Sequence, residues 1–132
     1  MEAGVDVAGG EGPQGREAGV KVLVCGSRDW DRPTWIGRRL AKLPRGTEII
    51  HGAARGADTF AQLYAHALGI PETAYPADWR GKGKRAGIIR NLEMLDQKPD
   101  LVIAFQASGS RGTQHTIDEA RKRGIPVEVV TQ

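Results

Sequence analysis

Val20-Lys21-Val22-Leu23-Val24-Cys25-Gly26-Ser27-Arg28-Asp29 is the stretch that decides the fold. Its first six residues are apolar except for Lys21, three of them valine, and Gly26 stops the run. A strand apolar on both faces belongs inside a parallel sheet covered by helices on either side. The pattern recurs downstream. Thr47-Glu48-Ile49-Ile50-His51 closes at Gly52, Thr73-Ala74-Tyr75 reads as a short strand, residues 101–105 are again a strand apolar on both faces, and residues 127–130 are the last strand.

Helical spacing fills the intervals. Asp31 is a candidate cap and Pro33 suits a first turn. Ile36, Leu40 and Leu43 then share a face, up to Pro44-Arg45-Gly46. Residues 57–68 place Phe60, Ala61, Tyr64, Ala67 and Leu68 on an apolar face, and residues 86–96 point Ile88, Ile89, Leu92 and Leu95 inward. Residues 113–123 form the last helix, and a glycine- and base-rich loop runs through Arg85. Gly69-Ile70-Pro71 and Gly124-Ile125-Pro126 follow helices and precede strands: a left-handed glycine, an apolar contact and a proline that forbids continuation. Strict alternation of strand and helix with short connections predicts a single α/β, Rossmann-like, three-layer domain over residues 20–132. Its sheet should be mostly parallel, five-stranded and in order 3-2-1-4-5.

Composition agrees. A chain of 132 residues, 39% hydrophobic and 27% charged, makes one soluble domain with a real core. No apolar run approaches the roughly 20 residues of a membrane span, and no secretory signal is visible. A lone cysteine forms no internal disulfide and fits a reducing cytoplasm. Residues 1–19 hold six of the 18 glycines, one base and four acids, and are expected to be a disordered tail, with an interaction arm as the alternative. The remainder carries 18 bases against 12 acids, a balance that leans toward phosphate-bearing partners.

In an open parallel sheet, ligands bind beyond the carboxyl ends of the strands, near the reversal of strand order. Three glycine-rich loops leave that edge, each with one arginine. Gly26-Ser27-Arg28 offers a sharp turn, a hydroxyl and a forked cation. Gly52-Ala53-Ala54-Arg55-Gly56-Ala57-Asp58 and Ser108-Gly109-Ser110-Arg111-Gly112-Thr113 each open a helix, where amides and the helix dipole favour an anion. Neither the phosphate loop ending in glycine-lysine-serine/threonine nor G-x-G-x-x-G occurs, which disfavours kinase, GTPase and dehydrogenase readings. Asp58 can orient Arg55 or a ribose hydroxyl, or cap its helix. Residues 80–90 hold five bases and no acid after Trp79, a solvated loop or a phosphate-contacting flap with an aromatic for stacking. Asn91, inside a helix, suggests a side-chain task. His51, His66 and His115 lack metal-ligand spacing, so neither metal nor cofactor is expected. His115 either touches a ligand or serves as a cap or surface group, and Cys25 reads as a small buried hydrophobe.

Together, Val24-Cys25-Gly26-Ser27-Arg28-Asp29-Trp30, His51-Gly52-Ala53-Ala54-Arg55-Gly56-Ala57-Asp58, Ala77-Asp78-Trp79, Ala86-Gly87-Ile88-Ile89-Arg90-Asn91 and Gly109-Ser110-Arg111-Gly112-Thr113 resemble the YspA/YpsA-related branch of the SLOG superfamily. Members occur in bacteria and phages. The resemblance implies a Rossmann-like domain that binds nucleotides or their derivatives. Relatives of the LOG type cleave the N-glycosidic bond of nucleoside monophosphates and carry P-G-G-x-G-T-x-x-E with an upstream arginine-lysine pair. Gly109, Gly112 and Thr113 match the phosphate-binding part and Arg90 the arginine. Asn91 replaces the lysine, and the glutamate position falls on Thr116. Another superfamily member, DprA, handles single-stranded DNA.

Three functions follow. The first is binding of a nucleotide or nucleotide derivative. Gly109, Arg111, Gly112 and Thr113 form its phosphate end, Arg90 with Asn91 the counter-charge, Gly26, Ser27 and Arg28 one wall, and Gly52, Arg55, Gly56 and Asp58 the ribose side. The second is nucleotide hydrolysis, for which Asp58, Asp78 and Glu119 are the candidate acids, Glu119 lying one turn beyond Thr116. The third is single-stranded nucleic-acid binding through residues 79–90. Exposed helix faces leave room for a homo-oligomer.

Overall fold

The structure, a computed structural model, describes residues 19–132. The expected tail thus lies, Gly19 apart, outside the described residues. The strands are β1 (Val20–Gly26), β2 (Thr47–His51), β3 (Glu72–Ala74), β4 (Leu101–Gln106) and β5 (Val127–Thr131). All pair in parallel, in order β3-β2-β1-β4-β5, with Val24 of β1 level with His51 and Ile103. The order reverses beside β1, so the loops after β1 and β4 face one another.

Helices α1 (Pro33–Leu40) and α2 (Ala57–Leu68) cover one face; α4 (Ala86–Asp96) and α5 (Arg111–Lys122) cover the other. Alternation within β1 divides the core. Val22 and Val24 pack with Ile36, Leu40 and Phe105 on the first face, while Leu23 and Cys25 pack with Met94, Leu95 and Ile117 on the second. Both Gly-Ile-Pro stops act as expected. Gly69 (φ +73°) and Gly124 (φ +75°) are left-handed, and the amides of Ile70 and Ile125 reach back to Ala65 O (2.8 Å) and Ala120 O (2.9 Å) in Schellman geometry.

Several elements depart from the sequence reading. Arg32, not Asp31, takes the cap position of α1, with no side-chain cap. Strand β3 starts one residue early because Pro71 O and the Tyr75 amide close its pairing with β2. Ala57, Ala61 and Ala65 carry the buried face of α2, leaving Leu68 44% exposed. Small residues let that helix lie close to the sheet. Residues 79–85 are not a loop: α3 (Trp79–Lys82) and a 3₁₀ turn (Gly83–Arg85) fill them. Asp78 caps α3 through the Gly81 amide at 2.9 Å. Helix α5 begins at Arg111, two residues before the expected start.

Candidate functional site

The loops after β1 and β4 and the start of α4 enclose a cavity of about 460 Å³ at the carboxyl edge of the sheet. Ser27 laces the first two together. Its amide donates to Phe105 O (2.9 Å), and its hydroxyl accepts from the Ala107 amide (2.8 Å). Gly26 permits this approach, since a Cβ there would collide with Ala57 and Phe105. The structure brings Gly26, Ser27, Arg28, Asp58, Arg90, Asn91, Gly109, Arg111, Gly112 and Thr113 to this one cavity.

Helix α5 opens onto it. Ser110 precedes the helix with no side-chain cap, and its hydroxyl donates to Thr113 Oγ1 at 2.6 Å. The first intrahelical bond runs from the Gln114 amide to Ser110 O. Among the described residues, the amides of Arg111, Gly112 and Thr113 therefore have no acceptor, and the helix dipole adds to their positive field. A Cβ on Gly112 would meet open space.

The loop after β2 behaves otherwise, and part of the expectation for it is corrected. Gly52, Arg55 and Gly56 do not line the cavity. The amides of Gly52 and Ala54 donate to Asp58 Oδ2 (3.1 and 3.2 Å), that of Ala53 to His51 Nδ1 (3.1 Å), and that of Ala57 to Ser27 O (3.2 Å). Those four amides are already taken from within. Gly56, at φ +81°, lies against the carbonyls of Ser27 and Arg28. Gly52 lies against the Arg90 guanidinium, where a Cβ has no room. Arg55 turns to a second, more open depression of about 660 Å³ beside Arg28, Trp30 and Phe60.

Arg90 does more than offer charge. Its Nη1 donates to Gly52 O and Tyr75 O, bracing the ends of β2 and β3, and its Nε donates to Asn91 Oδ1 at 2.9 Å. That bond is the task of Asn91 inside the helix. Burial pulls the Arg90 pKa down, against the attraction of Asp58. Asp58 is buried, and burial pushes its carboxyl up to about 6, opposed by the Ala54 amide and by His51 and Arg90. Its Oδ1 has no partner among the described residues, and neither does His115 Nδ1 beside the same cavity. Burial also pushes the Cys25 thiol up, away from a reactive thiolate.

Of the three candidate acids, Asp58 alone reaches the cavity. Asp78 caps α3, and Glu119 pairs with Lys122 at 3.3 Å and does not line the cavity. Sequence reasoning missed His51. Fully buried, it accepts from the Ala53 amide and therefore donates through Nε2 to Glu72 (2.6 Å), whose other oxygen meets His66 at 3.2 Å. The His51 hydrogen bond is the chief cause that holds the Glu72 carboxyl below its ordinary value. A histidine ending an apolar strand was the available signal. Trp79 (51% exposed) and Ile88 (49% exposed) stand at the cavity mouth, although Ile88 was expected to face the core. Among the described residues no cluster of three metal-ligating side chains occurs, and no helix is long and apolar enough to cross a membrane.

An open parallel sheet with a cavity at its carboxyl edge and an uncapped helix beside it defines a Rossmann-like α/β fold. Residues 20–81 match the profile of the YAcAr family, described as the YspA, cpYpsA-related SLOG family. The gene 61 protein of Mycobacterium phage D29 is 40% identical over 116 residues, which cover 81% of this chain and 93% of that protein. The chain belongs to this SLOG family. DNA processing protein A (DprA) from Streptococcus pneumoniae shares the fold with a TM-score of 0.71 at 21% identity, over 84% of this chain. The chain spans about half the length of DprA, 50% of it being covered.

Proposed function

We propose that the cavity binds a nucleotide or nucleotide derivative by its phosphate. The observation that carries this is the set of free amides at Arg111, Gly112 and Thr113 opening into the cavity. Arg111, Arg28 and Arg90 supply positive charge around it, and amides at a helix N-terminus receive phosphate without further machinery. A volume of about 460 Å³ suits a small-molecule ligand. Family membership supports the same reading. Calorimetric titration with inorganic phosphate, AMP, ADP-ribose and NAD tests it. Heat is expected with phosphate and with at least one nucleotide, and no heat with any of them at millimolar concentration overturns it.

A second reading, binding of single-stranded nucleic acid, is favoured by Trp79. Half-exposed at the mouth beside Lys84, it offers a stacking face next to a basic segment, and the structural neighbour is named as a DNA processing protein. This reading predicts affinity that falls steeply with salt. A gel shift unchanged by Lys82→Glu with Lys84→Glu removes it.

A further inference from the structure

We propose that Asp58 selects the sugar of the ligand: its free carboxylate oxygen accepts a hydroxyl from a ribose-bearing anion whose phosphate lies at the N-terminus of α5. The inference rests on the phosphate reading above. Asp58 is 5% exposed yet belongs to the cavity wall. Its Oδ2 already takes the Gly52 and Ala54 amides, whereas Oδ1 has no donor among the described residues. A buried carboxylate oxygen lacking a donor is a costly arrangement, and such groups in folded proteins have a partner or a task.

The neighbours do not supply that partner. Cys25 of β1, His51 of β2 and Arg90 of α4 are the titratable groups facing Asp58. His51 is committed to Ala53 and Glu72, and Arg90 to Gly52, Tyr75 and Asn91. The Cys25 thiol is a weak donor. No side chain among the described residues is left to donate, and a ligand hydroxyl fits that place. A phosphate cannot serve, because two anions would meet in a buried wall. A neutral hydroxyl brings the missing proton with no second charge to bury. Asp58 thus also orients the ligand, with phosphate toward α5 and hydroxyls toward β2. Burial, which pushes its pKa up to about 6, agrees with an oxygen awaiting a donor.

The test is calorimetry on the whole chain with AMP and GMP, each in ribo, 2′-deoxy and 3′-deoxy form, and with inorganic phosphate. In the native protein, loss of one of the two hydroxyls should weaken binding by about tenfold or more, the size expected for a hydrogen bond to a charged group. In Asp58→Asn, which keeps an oxygen for the loop amides and turns Oδ1 into a donor, that preference should collapse toward unity. The ribo-to-deoxy ratio should also grow as pH rises through about 6, the ionised acid being the acceptor and the phosphate's own ionisation cancelling in the ratio. Equal binding of all three forms by the native protein overturns the inference alone. So does a ratio that stays flat or shrinks with pH, or a substitution that weakens every ligand alike, the mark of a loop brace only. Failure of phosphate and of both nucleotides to bind overturns the phosphate reading and this inference with it.

Discussion

Residues 52–58 and residues 107–113 both leave the carboxyl edge of the sheet, both carry glycine, small side chains and one arginine, and both enter a helix of 12 residues. In the first, three successive amides are bound by Asp58 and His51, and a fourth by Ser27. In the second, the hydroxyls of Ser110 and Thr113 bond one another, and the first three helical amides stay free. The difference is one acid at one position. Asp58 is the second residue of α2, and Gly112 is the second residue of α5. The loop amides of the first turn are thus taken by an acid of its own helix, and the second turn has glycine at the matching place.

The largest expected effect follows from making the two turns alike. Gly112→Asp should place a carboxylate at the start of α5, in the place Asp58 holds in α2. There is open space for the side chain, and an acid in the first turn favours the helix by about 0.5 kcal/mol. Thermal melting should therefore show an unchanged or slightly higher midpoint. Phosphate and AMP should bind about a hundredfold more weakly, through occupied amides and like-charge repulsion. Unchanged affinity in a folded variant would mean that α5 does not receive the anion.

The closed turn carries a signature in pH. Burial pushes the Asp58 carboxyl up to about 6 in the folded protein, from an ordinary value of 3.8. A raised acid favours the folded state while protonated, so its stabilisation is full below about 4 and disappears as pH rises through about 6. Glu72 runs the other way. Its lowered value stabilises above the ordinary glutamate range, and that contribution is lost on acidification. Asp58→Asn removes the first dependence and leaves the second. Between pH 4 and 7, denaturant titrations should show the variant gaining on the native protein by about 2 kcal/mol. Parallel curves would show that Asp58 has an ordinary acidity.

Sheet order and helix placement were legible because strands such as 20–26 and 101–106 are apolar on both faces, which admits few arrangements. That the loops after β1 and β4 would meet was legible from the strand order. What sequence could not settle was which amides are already occupied. That depends on the Asp58 carboxylate folding back onto Gly52 and Ala54 and on a buried His51 reaching Ala53, contacts set by side-chain direction rather than residue type. The short helix at 79–82 was hidden for a similar reason. It has no buried residue and no apolar period, and it stands on one side-chain cap from Asp78. Arg90 was recognised as a cation, but its bracing of β2 and β3 lies across 38 and 15 residues of chain.

The smallest expected effect sharpens the contrast most. Arg55 is exposed and lies in the second depression, and among the described residues it takes part in none of the cavity's hydrogen bonds. Charges in that position act on a phosphate at α5 only through solvent, where salt near 0.1 M screens within about 10 Å. Arg55→Ala should then leave AMP affinity within about twofold in calorimetry at that salt, while Arg111→Ala, at the open turn, should lower it more. Arg28 borders both depressions. A loss of tenfold at Arg55 would therefore mean that the ligand continues past Arg28 into the second depression, and that the closed turn meets it with a side chain instead of with its amides.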